Sequence, residues 1–403
     1  MHPMIRALGR HRVPVSLIVF EVALAFTLVI NVLNLVSEYA GHIAVQTGID
    51  AGATSWLSSS PGSGSARNVS QEADIAVLRG APKIENAALV SALPLSGTSA
   101  YSFKVSPDMQ GAGPVKASAN MYFWTRGALD TLGVRLASGR DFLPSEYVEY
   151  SFFGNTPPPA AILITRALAM RLFGSDDVVG KRVKLELAEN HSAIVVGVVS
   201  RLISPSIHYQ PDDNFSVIFP VLHVDGGLYV IRNRPGDGEG ALAAARTALY
   251  RTSPFRIITR SETFKTTEQK YFQGDRSLIW TLCILASCLV LLTVAGIVSI
   301  SNYWVVQRQR SIGIRRALGA SRFEIIKYFL MENLALVLVG SILGLVGAVG
   351  LNILLMRWFE VGQLSLARPL VGLIAFVIVG QIAVLFPAIR ASYIRPNIIS
   401  GSD

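Results

Sequence analysis

Three of the six histidines, two acidic pairs and one glycine-rich loop are the residues of the long polar segment whose types invite chemistry. His191, His208 and His223 stand far apart, in none of the spacings that hold a metal, such as HExxH. Asp176–Asp177 and Asp212–Asp213 lie in polar loops, where solvation accounts for paired acids. Gly236-Asp-Gly-Glu-Gly240 precedes a helical stretch, the setting in which backbone amides bind phosphate. It lacks the Lys-Ser/Thr ending of a phosphate-binding loop, and its two acids would repel an anion, so it reads as a turn. There is no GxSxG elbow to expose a nucleophile. Cys283 and Cys288 fall within an apolar run and read as small packing residues. No catalytic residue, metal or cofactor is therefore assigned to this chain.

The elements that would position function lie elsewhere. Ser311–Leu330, SIGIRRALGASRFEIIKYFL, sits between two long apolar runs and carries Arg315, Arg316, Arg322 and Lys327. Gly319 has no Cβ and can take the left-handed conformation that ends a helix. Two residues on, Ser321 can cap a new helix, with Glu324 reaching back in a capping box. The pattern predicts a short helix Ile312–Leu318, a corner at Gly319–Ala320, and a helix continuing into a membrane. Such a rigid basic corner suits force transmission or docking.

The composition supports a membrane setting, since 51% of the 403 residues are hydrophobic and only 16% charged. The net charge of +9 is spread in a way that argues against nucleic acid. Arg6, Arg10 and Arg12 precede the first apolar run; Arg308, Arg310, Arg315, Arg316, Arg322 and Lys327 separate the second and third; Arg390 and Arg395 follow the fourth. This positive-inside pattern puts all three segments in the cytoplasm. The expected order is a cytoplasmic segment 1–12, a span 13–36, an external domain 37–275, a span 278–303, a cytoplasmic segment 304–328, a span 329–356, an external loop 357–369, a span 370–387 and a cytoplasmic tail 388–403. The first run exceeds the apolar core of a signal peptide and has no small-residue cleavage site, which favours an uncleaved anchor. Glu21 interrupts it, either serving a partner helix or a lateral opening, or simply pointing into the bundle. Gly340, Gly344 and Gly347, with Gly350, predict a close helix-packing face on the third span. Glu332 has Arg308, Arg310, a partner's base or solvent as its options.

In the external segment, strands alternate with helices on either side of Pro157–Pro159, so two lobes are expected. Ser58–Ser65, SSSPGSGS, reads as a flexible loop, and Thr165 as the cap of a helix Thr165–Phe173. The fold class is thus an α-helical membrane protein with four transmembrane helices and a large α+β, two-lobed extracytoplasmic domain between helices 1 and 2.

With one span, a large outside domain and three more spans, the chain resembles the MacB/FtsX-like permease family of ABC transporters over nearly its whole length. Ile312-Gly-Ile-Arg-Arg-Ala-Leu-Gly-Ala-Ser321 is the most specific piece, similar to that family's cytoplasmic segment between the second and third spans. Leu132-Gly-Val-Arg-Leu-Ala-Ser-Gly-Arg-Asp-Phe142, Arg171-Leu-Phe173 with Gly180-Lys181, Val196-Gly-Val198 and Phe386-Pro-Ala-Ile-Arg-Ala391 with Arg395-Pro396 support it. Ser311 stands where the family usually carries Glu, and Asn397–Ser400 lacks the usual apolar ending.

The resemblance implies that Ile312, Gly313, Ile314, Arg315, Arg316, Ala317, Leu318, Gly319, Ala320 and Ser321 form the segment seated on an ATPase. It also implies a periplasmic core domain of two subdomains and a bacterial inner-membrane location with both termini cytoplasmic. No Walker A sequence occurs, so ATP and Mg are expected on a partner ATPase, in two copies, and this chain is expected not to be an enzyme. A second permease, identical or paralogous, and membrane lipids are expected partners, with a periplasmic adaptor as an optional one. The expected function is mechanical coupling of cytoplasmic ATP hydrolysis to the external domain, exporting or extracting a peptide, antibiotic, lipid or lipoprotein. The alternative is an FtsX-like signalling subunit that regulates an external enzyme or adaptor without moving cargo.

Overall fold

The computed structural model describes residues 12–60, 71–97, 101–108, 115–151, 156–187, 191–359, 364–365 and 367–393. Arg6, Arg10, residues 61–65 of the serine-rich stretch, Arg395 and the 397–400 ending lie outside them. The chain forms two compact units, one from Ala44–Gln273 and one from Met1–Ile43 with Gly274–Asp403.

Helix α1 (Arg12–Ile43) runs beyond the apolar residues that identified it, because Ser37–Ala40 contains no helix breaker. It leads into the large domain, built on strands β1 (Thr54–Ser60), β2 (Ile84–Val90), β3 (Ser102–Pro107), β4 (Ala117–Trp124), β5 (Leu136–Gly139), β6 (Ala161–Thr165), β7 (Arg182–Leu185), β8 (Ser192–Val199), β9 (Ser216–Pro220), β10 (Leu228–Asn233) and β11 (Ile257–Thr263). Its helices are α2 (Gln71–Arg79), α3 (Ala128–Leu132), α4 (Arg166–Phe173), α5 (Gly238–Thr252) and α6 (Phe264–Tyr271).

One lobe is an antiparallel sheet in the order β11-β1-β10-β2. Its side chains alternate between faces, as the pleat requires. Leu57, Ala87, Leu89, Tyr229 and Ile231 pack against α2 and α5, while Trp56, Ala88, Val90, Leu228 and Val230 face the other way. The second lobe closes on itself: β4-β3-β7-β8-β6-β9 ends with β9 pairing parallel to β4, from Asn120↔Ser216 to Trp124↔Pro220. One face of this ring, with Val105, Met121, Ile164, Val195, Val217 and Phe219, shares a core with α4. Its other face, through Tyr122, Trp124, Leu163 and Ile218, joins the first lobe's core. The two lobes therefore interleave along the chain, and the proline stretch at 157–159 does not divide them.

Several expectations take a different form in the structure. Ser58–Ser60 belongs to β1, with Ser58 paired to both β10 and β11 and Ser59 and Ser60 to β11, so serine content alone misled there. Thr165 stands at the N-cap of α4, but its hydroxyl donates to Asn214 O (2.7 Å) and accepts from Ser216 N (3.2 Å) instead of capping. Asp213 is buried, and its carboxylate accepts the amides of His208 and Gln210, so it organises a loop. Gly236 turns with φ 86°, and Asp237 pairs with Lys83 at 3.0 Å, which leaves the glycine-rich loop a turn. Two motif glycines meet: a Cβ on Gly139 would lie 2.6 Å from Gly197 Cα. Beside them Arg140 bonds both oxygens of Glu146, at 2.8 and 2.7 Å.

A buried ion pair ties α2 to the approach to β11. Asp74 Oδ1 accepts from Arg256 Nη2 at 2.7 Å, and the Tyr229 hydroxyl donates to Asp74 Oδ2 at 2.6 Å. Burial, first, and this carboxylate push the Tyr229 phenol well above its ordinary range.

A single residue, Phe272, separates α6 from α7 (Gln273–Gln307). Next come α8 (Gln309–Ala317), α9 (Arg322–Phe359) and α10 (Ala367–Ser392). Helices α1, α7, α9 and α10 are long and apolar enough to cross a membrane. At about 1.5 Å per residue, α7 and α9 are roughly 52 and roughly 57 Å long and exceed a hydrocarbon core of about 30 Å. Their ends thus extend past the residues 278–303 and 329–356 expected from apolarity.

Candidate functional site

The corner between α8 and α9 is locked by bonds within a few residues. Gly319 adopts φ 96°, Ala320 N donates to Arg315 O (3.0 Å), and Gly319 N donates to Arg316 O (3.1 Å). These are the 6→1 and 5→2 bonds of a Schellman motif, and they satisfy carbonyls that the helix end leaves open. Ser321 N then donates to Glu324 Oε2 (2.8 Å), and Glu324 N donates to Ser321 Oγ (3.2 Å), forming a capping box. The first helix begins earlier than the expected Ile312, at Gln309, after a break at Arg308 that follows α7.

The inner side of the corner is apolar. Ile312 and Gly313 are buried, and Ile312 shares a core with Trp304, Val305, Ile325 and Phe329. A cavity of about 200 Å³ between Arg308, Ile312, Arg315, Ile325, Tyr328 and Phe329 leaves this side incompletely filled. Arg308 Nη1 donates to both oxygens of Glu332, at 2.8 and 3.1 Å, which selects one of the partners open to that acid.

Three of the basic residues contact other parts of the protein, Arg315 and Arg322 from exposed positions and Arg316 from a partly buried one. Arg315 stacks 5.1 Å from the Tyr328 ring centroid, and Arg322 4.4 Å from that of Tyr393. Arg316 donates to Ser392 O at 3.0 Å, at the last residue of α10. Large apolar groups project among them: Leu318 is 84% exposed, Phe323 72% and Ile314 46%. Arg310, Ser311, Arg315, Ala317, Gly319, Ser321, Arg322, Glu324 and Lys327 are also exposed, Arg316 and Ala320 partly so. Phe323 was not among the expected site residues. Its signal was a broken period, because Ile325, Phe329, Glu332 and Leu336 mark the buried stripe and Phe323 lies off it.

The third-span glycines face α1. A Cβ on Gly340 would come within 2.8 Å of Val22 Cβ, on Gly344 within 2.7 Å of Ala23 O, and on Gly347 within 2.6 Å of Thr27 Oγ1. Thr27 Oγ1 donates to Gly344 O (2.9 Å), and Asn31 Nδ2 to Ala348 O (3.2 Å). Gly350 faces open space and takes no part. Glu21 lies against Gly296 of α7, where a side chain would collide with its carboxyl group. Helix α7 is otherwise little covered, with 11% of its apolar window buried against 44% for α1. Among the described residues, no cluster of His, Cys, Asp or Glu could hold a metal, and both cysteines are free.

Comparison with known proteins matches two family models. The MacB-like periplasmic core domain covers residues 15–249, and the FtsX-like permease C-terminal domain covers residues 283–396. Curated relatives include a macrolide export ATP-binding/permease protein MacB of Chlorobium luteolum, 27% identical over 71% of this chain and 44% of that protein. Another is the MacB of Chromobacterium violaceum, 25% identical over 66% of this chain and 40% of its own length. An uncharacterized ABC transporter permease, YvrN, of Bacillus subtilis is 37% identical over 25% of each chain. This chain thus spans less than half the length of the two MacB relatives. Among solved structures, the periplasmic region of MacB from Actinobacillus actinomycetemcomitans aligns with 57% of this chain and 97% of that one, at 14% identity and TM-score 0.35. The extracellular domain of the transporter YknZ aligns with 51% and 100%, at 15% identity and TM-score 0.33. The matched models describe a periplasmic core domain and a permease C-terminal domain, neither of them an ATPase.

Proposed function

Because the chain belongs to the MacB/FtsX-like permease family of ABC transporters, we propose that the α8–α9 corner is the seat of a separate cytoplasmic ATPase, whose strokes it passes to the extracytoplasmic domain. The observation that carries this reading is a corner rigid by its own hydrogen bonds that presents Leu318 and Phe323 outward. Exposed large apolar groups on an otherwise polar turn mark an interaction site. Arg315, Arg316 and Arg322 serve as struts that hold the corner in shape, and Arg310 and Lys327 supply the charged rim.

The path of the stroke is covalent. The corner continues through Arg308 into α7, and α7 into α6 across Phe272. Helix α6 is embedded in the domain by Phe264, fully buried, and by Thr267, which accepts a 2.8 Å bond from Trp56 Nε1. Two ATPases below and a second permease complete the complex, with the uncovered face of α7 available to that second copy or paralogue. Both termini lie in the cytoplasm, following the arginine bias. The cargo is a peptide, antibiotic, lipid or lipoprotein, handled on the outer side of the inner membrane, with ATP and Mg bound by the partner.

The test is co-purification of the full chain with its co-expressed ABC ATPase. Leu318→Asp with Phe323→Asp is expected to abolish association and the complex's ATPase activity, while Val346→Asn on the exposed face of α9 retains both. Retained association in the double variant would overturn the assignment.

A further inference from the structure

A small cavity of about 160 Å³ in the extracytoplasmic domain is lined by Tyr101, Met121, Phe123, Tyr150, His223 and Asp225. We infer that it is a binding site for an alkylated ammonium group, with the aromatic rings facing the cation and the Asp225 carboxylate balancing its charge. The lining has the two components such a group needs. An aromatic face attracts a cation through its quadrupole while tolerating methyl groups, and one carboxylate supplies sign selectivity. Phe123 and Tyr150 form the aromatic wall, with ring centroids 5.3 Å apart and planes tilted by 39°. Asp225 is exposed at the rim and accepts a 3.1 Å hydrogen bond from Ser151 Oγ, which leaves carboxylate lone pairs for a ligand.

The surrounding backbone builds the site firmly. Gln71 bonds both the N–H and the C=O of Val224, at 3.0 and 2.8 Å, fixing His223 and Asp225 on either side. Leu222 N donates to Val148 O (3.0 Å), which holds the Tyr150 segment alongside. Phe123 N donates to Ser91 Oγ (3.0 Å), and Met121 N to Tyr101 O (2.9 Å). Pockets for drug-sized molecules run to roughly 300–1,000 Å³, so this one takes a single functional group and not a whole drug. The same group could arrive on a free amine or on a lipid headgroup, and the test separates them.

The full chain in maltoside micelles is titrated with choline, its neutral isostere 3,3-dimethylbutanol, and phosphocholine, followed by ligand-observed NMR. Choline is expected to bind and dimethylbutanol to bind at least about fivefold more weakly, the size of one exposed cation–aromatic contact. Asp225→Asn and Tyr150→Leu should each weaken choline by a similar factor, and Asp225 is exposed enough for its variant to fold. Weaker phosphocholine assigns the site to a free amine, and equal phosphocholine to a headgroup. Equal binding of choline and dimethylbutanol, no binding of choline, or an unchanged Asp225→Asn variant would each overturn the proposal.

Discussion

Arg308 holds Glu332 through a single Nη1 atom, 2.8 Å from one carboxylate oxygen and 3.1 Å from the other, with the Glu332 side chain only 4% exposed. The pair joins the residue at the break after α7 to the third turn of α9, so the corner is braced from inside. Removing one partner strands the other charge in a poorly hydrated place, at a cost of about 3–5 kcal/mol. Arg308→Ala or Glu332→Ala should therefore lower the melting transition of the full chain in detergent clearly. The double variant Arg308→Met with Glu332→Met should recover much of that loss, because apolar packing replaces the pair. A double variant as unstable as the singles would contradict this account.

Helix α9 touches α1 through residues that have no side chain to spare. Gly344→Ala places a methyl group 2.7 Å from Ala23 O and 2.9 Å from Phe26 Cβ, an overpacking that costs about 1–3 kcal/mol. Gly350→Ala meets nothing within 4 Å and should gain slightly or stay neutral through helix propensity. Unfolding of the two variants side by side in mixed micelles measures the contrast. Equal behaviour would refute the crossing.

Asp74 anchors both Arg256 and the Tyr229 hydroxyl, all three largely buried. Asp74→Ala leaves a buried guanidinium without its partner and should cost about 3–5 kcal/mol. Tyr229→Phe removes one hydrogen bond and should cost about 1 kcal/mol. Differential scanning of the extracytoplasmic transition in the full chain ranks them; the reverse order would show that the ion pair is not the anchor.

Arg140 sets the sign of a pH effect. Its hydrogen bond, with help from the Leu143 amide and against some burial, holds the Glu146 carboxyl below its ordinary value of 4.5. A lowered folded value means that the stabilisation is complete above the unfolded value and fades as pH falls through the folded one. The pair is partly exposed, so the effect is expected below about 1 kcal/mol. Glu146→Gln should shrink the difference in melting temperature between about pH 6 and about pH 3. An unchanged difference would assign acid sensitivity to other carboxylates.

The corner was legible in the sequence because its bonds close within a few residues: Gly319 needs only φ freedom, and Ser321 and Glu324 need only each other. The direction of the arginines was not, since Tyr328, Ser392 and Tyr393 come from α9 and from the far end of α10. Charge composition suggested a basic docking face, yet Arg315, Arg316 and Arg322 each rest on another part of the protein, and Leu318 and Phe323 stand exposed beside them. The ring in the external domain was hidden for the same reason. Its closing pair, β4 with β9, joins residues almost a hundred positions apart in parallel, and no local turn announces it. Asp213 and Thr165 looked like loop and cap residues, and only the loop packed against them shows the work they do.

The Schellman and capping-box bonds at Gly319–Glu324 have one further consequence. On the docking proposed above, the bend is set before the ATPase arrives, so little of its binding energy goes into ordering the chain. Affinity can then be tuned at Leu318 and Phe323 without altering the bend, whereas Gly319→Ala would act by depleting the bent population and would weaken docking in proportion to that depletion.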